Sequence, residues 1–200
     1  MFRRDSQPIA ALLALLLALG GASCGLSSRS QITDITGVMP SLAFRMARAN
    51  DGERVSADNY RGKVAILYFG YTHCPDECPA TLANLAAVLQ RLGNAANDVR
   101  VLFVSVDPAR DTVPVLKSYV EAFAPEIDGL RGSDDAIAAL TRRYRVIYAV
   151  TPASPGRPYA VMHSDSVFFF DRNGRARFVA MATDQTVDIA ARIDRLLLGK

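Results

Sequence analysis

The chain has 200 residues, half of them apolar, which is enough for one buried core plus an N-terminal export segment. A net formal charge of +3, with acidic and basic residues interspersed, excludes the concentrated basic face of a nucleic-acid binder, so no nucleic-acid partner is expected. Ten prolines and thirteen glycines fit a loop-rich α/β domain and not a low-complexity chain.

The N-terminus reads as a targeting signal. Arg3 and Arg4 precede an Ala/Leu run from Ile9 to Leu19, and Gly20-Gly21-Ala22-Ser23 then lead to Cys24. The run falls short of the ~20 apolar residues that cross a bilayer. Residues 1–23 are therefore expected to be a signal peptide, and the product to lie outside the cytoplasm. Cys24 resembles the cysteine of a bacterial lipoprotein cleavage box, lipidated as the new N-terminus, although Gly21 stands where such boxes usually carry Leu. Residues 24–40 are small and polar, as in a tether from the membrane. The folded domain is expected over 41–200.

Within that domain, Leu42–Met46 and Arg54–Ser56 flank Asn50-Asp51-Gly52, a hairpin signal. Val64–Phe69 is a continuous apolar run, as in a strand covered on both faces of a mostly parallel sheet. A loop, Gly70–Pro79, precedes a helix in which Leu82, Leu85, Ala86, Leu89 and Leu92 recur at helical spacing and Gly93 stops the run. Val99–Val106 reads as a second buried strand. Asp111 and Thr112 stand as caps for a helix to about Phe123, with Pro114 in its first turn. Ser133 and Asp134 cap a helix over 135–143, and Val146–Val150 is expected to be extended. Residues 151–159 form a proline-rich loop. Ser166–Phe170 and Arg175–Ala180 flank a second hairpin turn, and Val187–Leu198 forms a closing amphipathic helix. Alternating strands and helices with a late hairpin give an α/β sandwich, thioredoxin-like as the leading candidate.

The chemistry concentrates in Gly70-Tyr71-Thr72-His73-Cys74-Pro75-Asp76-Glu77-Cys78-Pro79. The loop lies beyond the carboxyl end of a strand, where open α/β sheets place ligands. Four residues apart on a helical turn, Cys74 and Cys78 are near enough for a disulfide or for one metal ion. A structural bridge closing so short a loop would stabilise little, which leaves redox chemistry or metal binding. A helix N-terminus is expected to lower both thiol pKa values. Two thiolates favour soft metals. An iron–sulfur cluster and structural zinc each want four ligands, whereas Cu(I) accepts two sulfurs and one nitrogen. His73, adjacent to Cys74, is a poor geometric partner. His163, at the end of the proline-rich loop, is lifted by elimination as the only other imidazole, although a histidine beside a strand is more often structural.

Tyr68 to Pro79, Ser105-Val106-Asp107-Pro108-Ala109-Arg110-Asp111-Thr112, and His163-Ser164 followed by an apolar strand and Asp171-x-x-Gly174 together resemble the signature segments of the Sco/SenC family. The resemblance covers about residues 40–198. It implies a thioredoxin-like fold with an added N-terminal β-hairpin. It also implies a metallochaperone that helps to assemble the dinuclear copper centre of cytochrome c oxidase. Its copper ion, as Cu(I) and also Cu(II), would be bound by Cys74, Cys78 and His163, with residues 151–159 as a mobile arm that delivers His163. The partner implied is the copper-binding subunit of the oxidase or another periplasmic copper protein, and the place is the periplasmic face of the membrane. A thiol–disulfide oxidoreductase using Cys74 and Cys78 as a redox disulfide stays open beside this reading, as does a redox or copper sensor. Asp107 and Asp111 are either local turn and cap residues or carboxylates that orient a ligand or face the partner.

Overall fold

The computed structural model describes residues 32–182 and 184–199. The expected signal peptide, Cys24 and the first part of the tether lie outside these residues. Among the described residues no helix is long and apolar enough to cross a membrane.

The fold is a thioredoxin-like α/β sandwich built on β4 (Val64–Gly70), β5 (Val99–Ser105) and β6 (Ile127–Arg131), which pair in parallel. On one side β9 (Ser166–Phe170) runs antiparallel to β4, and β10 (Ala176–Met181) pairs with β9. On the other side the N-terminal hairpin of β2 (Arg45–Arg48) and β3 (Arg54–Ser56) extends the sheet from β6. A two-residue strand, β1 (Thr33–Asp34), closes the far edge against β10. This strand lies ahead of Ser41, and Ile35 beside it is buried. So short a pairing leaves no period in the sequence.

Every residue of β4 is buried, which is why its sequence shows no polar alternation. Its side chains divide by parity. Val64, Ile66 and Tyr68 meet α1 (Glu77–Leu92), α2 (Val113–Glu121) and α4 (Thr186–Leu197) through Leu82, Leu85, Leu116 and Ile193. Ala65, Leu67 and Phe69 meet α3 (Asp134–Arg143) and the hairpin through Ile137, Leu140 and Val55. Each fully buried aliphatic side chain contributes roughly 1.5–3 kcal/mol relative to exposure, so the two faces together fix the position of the strand ends.

Two further strands escaped the sequence pattern. β6 (IDGLR) carries Asp128 and Gly129 inside a buried strand; Asp128 is accommodated because the Tyr60 hydroxyl donates to its Oδ2 at 2.7 Å. The second is β8 (Ala160–His163), which pairs antiparallel with β7 (Tyr148–Thr151) as a separate two-stranded sheet. The proline-rich segment is the tip of this hairpin, pinned by a Ser154–Arg157 bridge. His163 thus closes strand β8 opposite Tyr148.

Candidate metal centre

The cysteine loop leaves the carboxyl end of β4 at Gly70. A Cβ built there would lie 2.6 Å from Phe103 Cε2 and 2.8 Å from Cys78 Sγ, so only glycine lets the Cys78 sulfur sit against the strand. α1 begins at Glu77, inside the stretch expected to be a loop as far as Pro79, and this puts Cys78 in its first turn. Pro79 does not prevent it, because first-turn N–H groups lack an intrahelical acceptor. The Cys78 backbone N–H donates to Cys74 Sγ at 3.4 Å.

His163 arrives from the separate hairpin. Its Nε2 lies 3.3 Å from Cys78 Sγ, and its Nδ1 lies 2.9 Å from the Ser164 carbonyl oxygen. A carbonyl only accepts, so Nδ1–H is the donor in that contact and Nε2 is the ring nitrogen that faces the sulfur. Tyr68 and Tyr71 stand edge-on to the imidazole at centroid distances of 6.1 and 5.8 Å. Cys74 Sγ, Cys78 Sγ and a ring nitrogen of His163 all lie within 4.8 Å of one another, a group able to hold one metal ion. Both cysteines are free thiols, Cys78 buried and Cys74 partly exposed.

The expectation that both thiols ionise readily fails at Cys78. Burial pushes its thiol up to about 12; a backbone hydrogen bond at Tyr71 opposes this, while the hydrogen bond and charge of the neighbouring Cys74 sulfur add to it. Spacing placed the residue at the favourable helix end but said nothing of its complete desolvation. The Tyr68 hydroxyl is buried beside it without a hydrogen-bond partner; Cys78 and Thr81 are near but complete no bond, and Thr81 Oγ1 donates instead to the Glu77 carbonyl at 2.8 Å.

His73 is half exposed, with Nδ1 3.0 Å from Thr72 Oγ1, outside the metal-capable group. Asp111 does not cap α2. The cap position is Thr112, without a side-chain bond, and the Asp111 carboxylate turns inward. It accepts from Thr72 Oγ1 at 2.7 Å, the Thr72 backbone N–H at 3.0 Å and Ser105 Oγ at 2.6 Å, tying the cysteine loop to the end of β5. Asp107, also buried, accepts from the Tyr159 hydroxyl at 2.7 Å and from Arg110 Nε. Tyr68, Tyr71, Ser105 and Tyr159 were missed as neighbours of the site, because apolar and loop patterns carry no sign of which residues converge.

The SCO1/SenC family matches residues 42–198, and the chain belongs to that family. SCO1 homolog 1, mitochondrial, of Arabidopsis thaliana is 47% identical over 116 residues, 58% of this chain and 34% of its own length. The SCO2 homolog, mitochondrial, of Bos taurus is 41% identical over 140 residues, 66% of this chain and 52% of its own. The chain therefore spans between a third and about half of the length of these relatives. Bradyrhizobium japonicum ScoI, solved with copper bound, superposes with a TM-score of 0.71 at 34% identity, covering 78% of this chain and 99% of its own.

Proposed function

We propose that this protein is a copper carrier, in which the Cys74 and Cys78 thiolates and His163 Nε2 hold one copper ion as cargo. The ion is passed by ligand exchange to the copper-binding subunit of cytochrome c oxidase or another exported copper protein. The observation that carries the reading is His163: Nδ1–H donates to the Ser164 carbonyl, which turns Nε2 toward the buried sulfur. Two sulfurs and one nitrogen suit Cu(I), and also Cu(II). Loading displaces the thiol protons, so binding releases protons and weakens as pH falls. Copper bound to B. japonicum ScoI supports the choice of metal.

The test is an anaerobic Cu(I) titration of the reduced protein against a competing chelator. One copper per chain, with affinity lowered about 100-fold or more in His163→Ala, is the expected result; loss of a ligand is comparable to or larger than the 10–100-fold cost of losing a ligand's supporting contact. Unchanged affinity in that variant excludes the three-ligand site.

A second reading, a dithiol reductase, is favoured by the asymmetry of the pair. Cys74 is accessible and receives the Cys78 N–H, while Cys78 is enclosed. Cys74 thiolate would attack a partner disulfide, forming a mixed disulfide and releasing one partner thiolate. Cys78 would then attack the Cys74 sulfur, releasing the second partner thiol and leaving Cys74–Cys78 oxidised. Two electrons pass to the partner. Cys78→Ser should trap the mixed disulfide; no trapped adduct with an oxidised dithiol peptide counts against this role.

Export completes the reading: residues 1–23 act as signal peptide, Cys24 is lipidated and the domain faces the periplasm. The mass of the mature chain distinguishes an acylated Cys24 from a bare one.

A further inference from the structure

The hairpin of β7 and β8 is the least packed part of the site. Neither strand carries a buried residue, and its sheet makes no ladder with the main one. A cleft of about 810 Å³ opens behind it, walled by Asp107 and Ile137 of the body and by Tyr148, Val150 and Tyr159 of the arm. An element with so little apolar contact is held by a few directional bonds, and its opening free energy lies at the low end of the molecule.

Those bonds meet at the rim of the cleft. The Tyr159 hydroxyl donates to Asp107 Oδ1 at 2.7 Å, and Arg110 Nε donates to the other carboxylate oxygen. The Arg110 guanidinium lies 4.0 Å over the Tyr159 ring and 5.8 Å from that of Tyr71. The Tyr71 hydroxyl in turn donates to the Val161 carbonyl at 3.4 Å. The base of this arrangement is rigid. Ser105 Oγ accepts from the Asp107 N–H at 3.1 Å. Arg131 donates to the carbonyls of Pro108 and Asp111 at 2.8 and 3.1 Å. Asp107 is satisfied on both oxygens, but one partner comes from the body and the other from the arm, which separates this group from an ordinary buried ion pair.

We infer that Asp107, Arg110 and Tyr159 form a clasp that positions His163. Tyr159 precedes His163 by four residues, about 13 Å of extended chain. Fixing its ring and hydroxyl sets how β8 lies over the cysteine loop, and hence whether Nε2 reaches Cys78. Opening the clasp frees the arm and withdraws the nitrogen while both sulfurs stay in place on β4 and α1. Tyr159 is thus a positioning residue. Its effect on metal rests on the copper reading above, whereas its hold on the arm does not.

The experiment uses the reduced full chain and Tyr159→Phe, which keeps the ring and removes the hydroxyl. In the metal-free protein, backbone amides of residues 148–163 should exchange about tenfold faster, the loss of one hydrogen bond to a charged acceptor, with β4 and β5 unchanged. Cu(I) affinity should fall by a similar factor, and Tyr159→Phe/His163→Ala should bind no more weakly than His163→Ala. Asp107→Asn, which keeps an acceptor for Tyr159 but loses the charge facing Arg110, should show a smaller change in the same direction. Unchanged arm exchange in Tyr159→Phe overturns the clasp. So does a loosened arm with wild-type copper affinity when His163→Ala weakens binding. If His163→Ala itself binds normally, the copper site is what fails, and arm exchange alone then decides the clasp.

Discussion

The central strands and the β7–β8 arm contribute to the same site by opposite means. β4 has all seven residues buried, and the Cys78 sulfur rests against its last glycine. The arm has no buried residue, yet it supplies the imidazole. On the copper reading proposed above, a site divided this way would have two ligands held at fixed geometry and a third held by a handful of polar contacts. For a carrier the division is useful: cargo bound by three rigid ligands leaves slowly, whereas withdrawal of one nitrogen leaves a two-sulfur site open to exchange with an incoming thiolate.

The comparison breaks if the two regions respond alike to substitution. Phe169→Ala, in a ring stacked 4.2 Å from Phe178 within the core, should cost about 3–5 kcal/mol in urea unfolding. A smaller loss would mean that the sheet is less tightly packed than it looks. Asp111→Ala leaves the Thr72 and Ser105 donors without their acceptor beside the cysteine loop, at roughly 1–3 kcal/mol for each buried group left unsatisfied. It should also weaken copper binding, and a variant with wild-type stability and affinity would show that the loop does not depend on this carboxylate.

Thiol chemistry sharpens the contrast within the site. At neutral pH an alkylating reagent should modify Cys74 well before Cys78, with equal rates only in denaturant, as read by peptide mass spectrometry. Cys78 is protonated in the folded state up to about 12, whereas an unfolded cysteine ionises near 8.5. Its proton therefore favours the folded state below about pH 8.5. That contribution is lost as pH rises through the interval to about 12. Removing the thiol with Cys78→Ala should flatten this alkaline limb of stability against pH. The smallest effect belongs to the arm: Val150→Ala, already 38% exposed, should change stability by less than about 0.5 kcal/mol. A core-sized loss there would erase the distinction between the two regions.

Much of this is legible in the sequence. Val64–Phe69 reads as a two-sided strand because only a sheet covered on both faces tolerates six apolar residues in succession, and the leucine spacing of α1 and the capping serine of α3 speak for themselves. Ser133 Oγ accepts from the Ala136 N–H as its position implies. β6 was illegible because its acidic residue is solvated by Tyr60, 68 positions away. β8 was illegible because two exposed and two half-buried residues after a proline-rich loop give no hydrophobic pattern in the sequence.

By itself the sequence determined the α/β sandwich, the place of the cysteine pair at a strand–helix junction, and the chemical type of the three candidate ligands. Those properties are local, set by side-chain periodicity, by loop position and by donor-atom softness. Only the tertiary structure decided that His163 Nε2 lies beside Cys78 and that Asp111 turns to Thr72 instead of capping α2. It also decided that Cys78 holds its proton and that Tyr159 and Asp107 join the arm to the body. Each of these depends on contacts between residues far apart in the chain and on desolvation, and neither is encoded in the spacing of neighbouring residues.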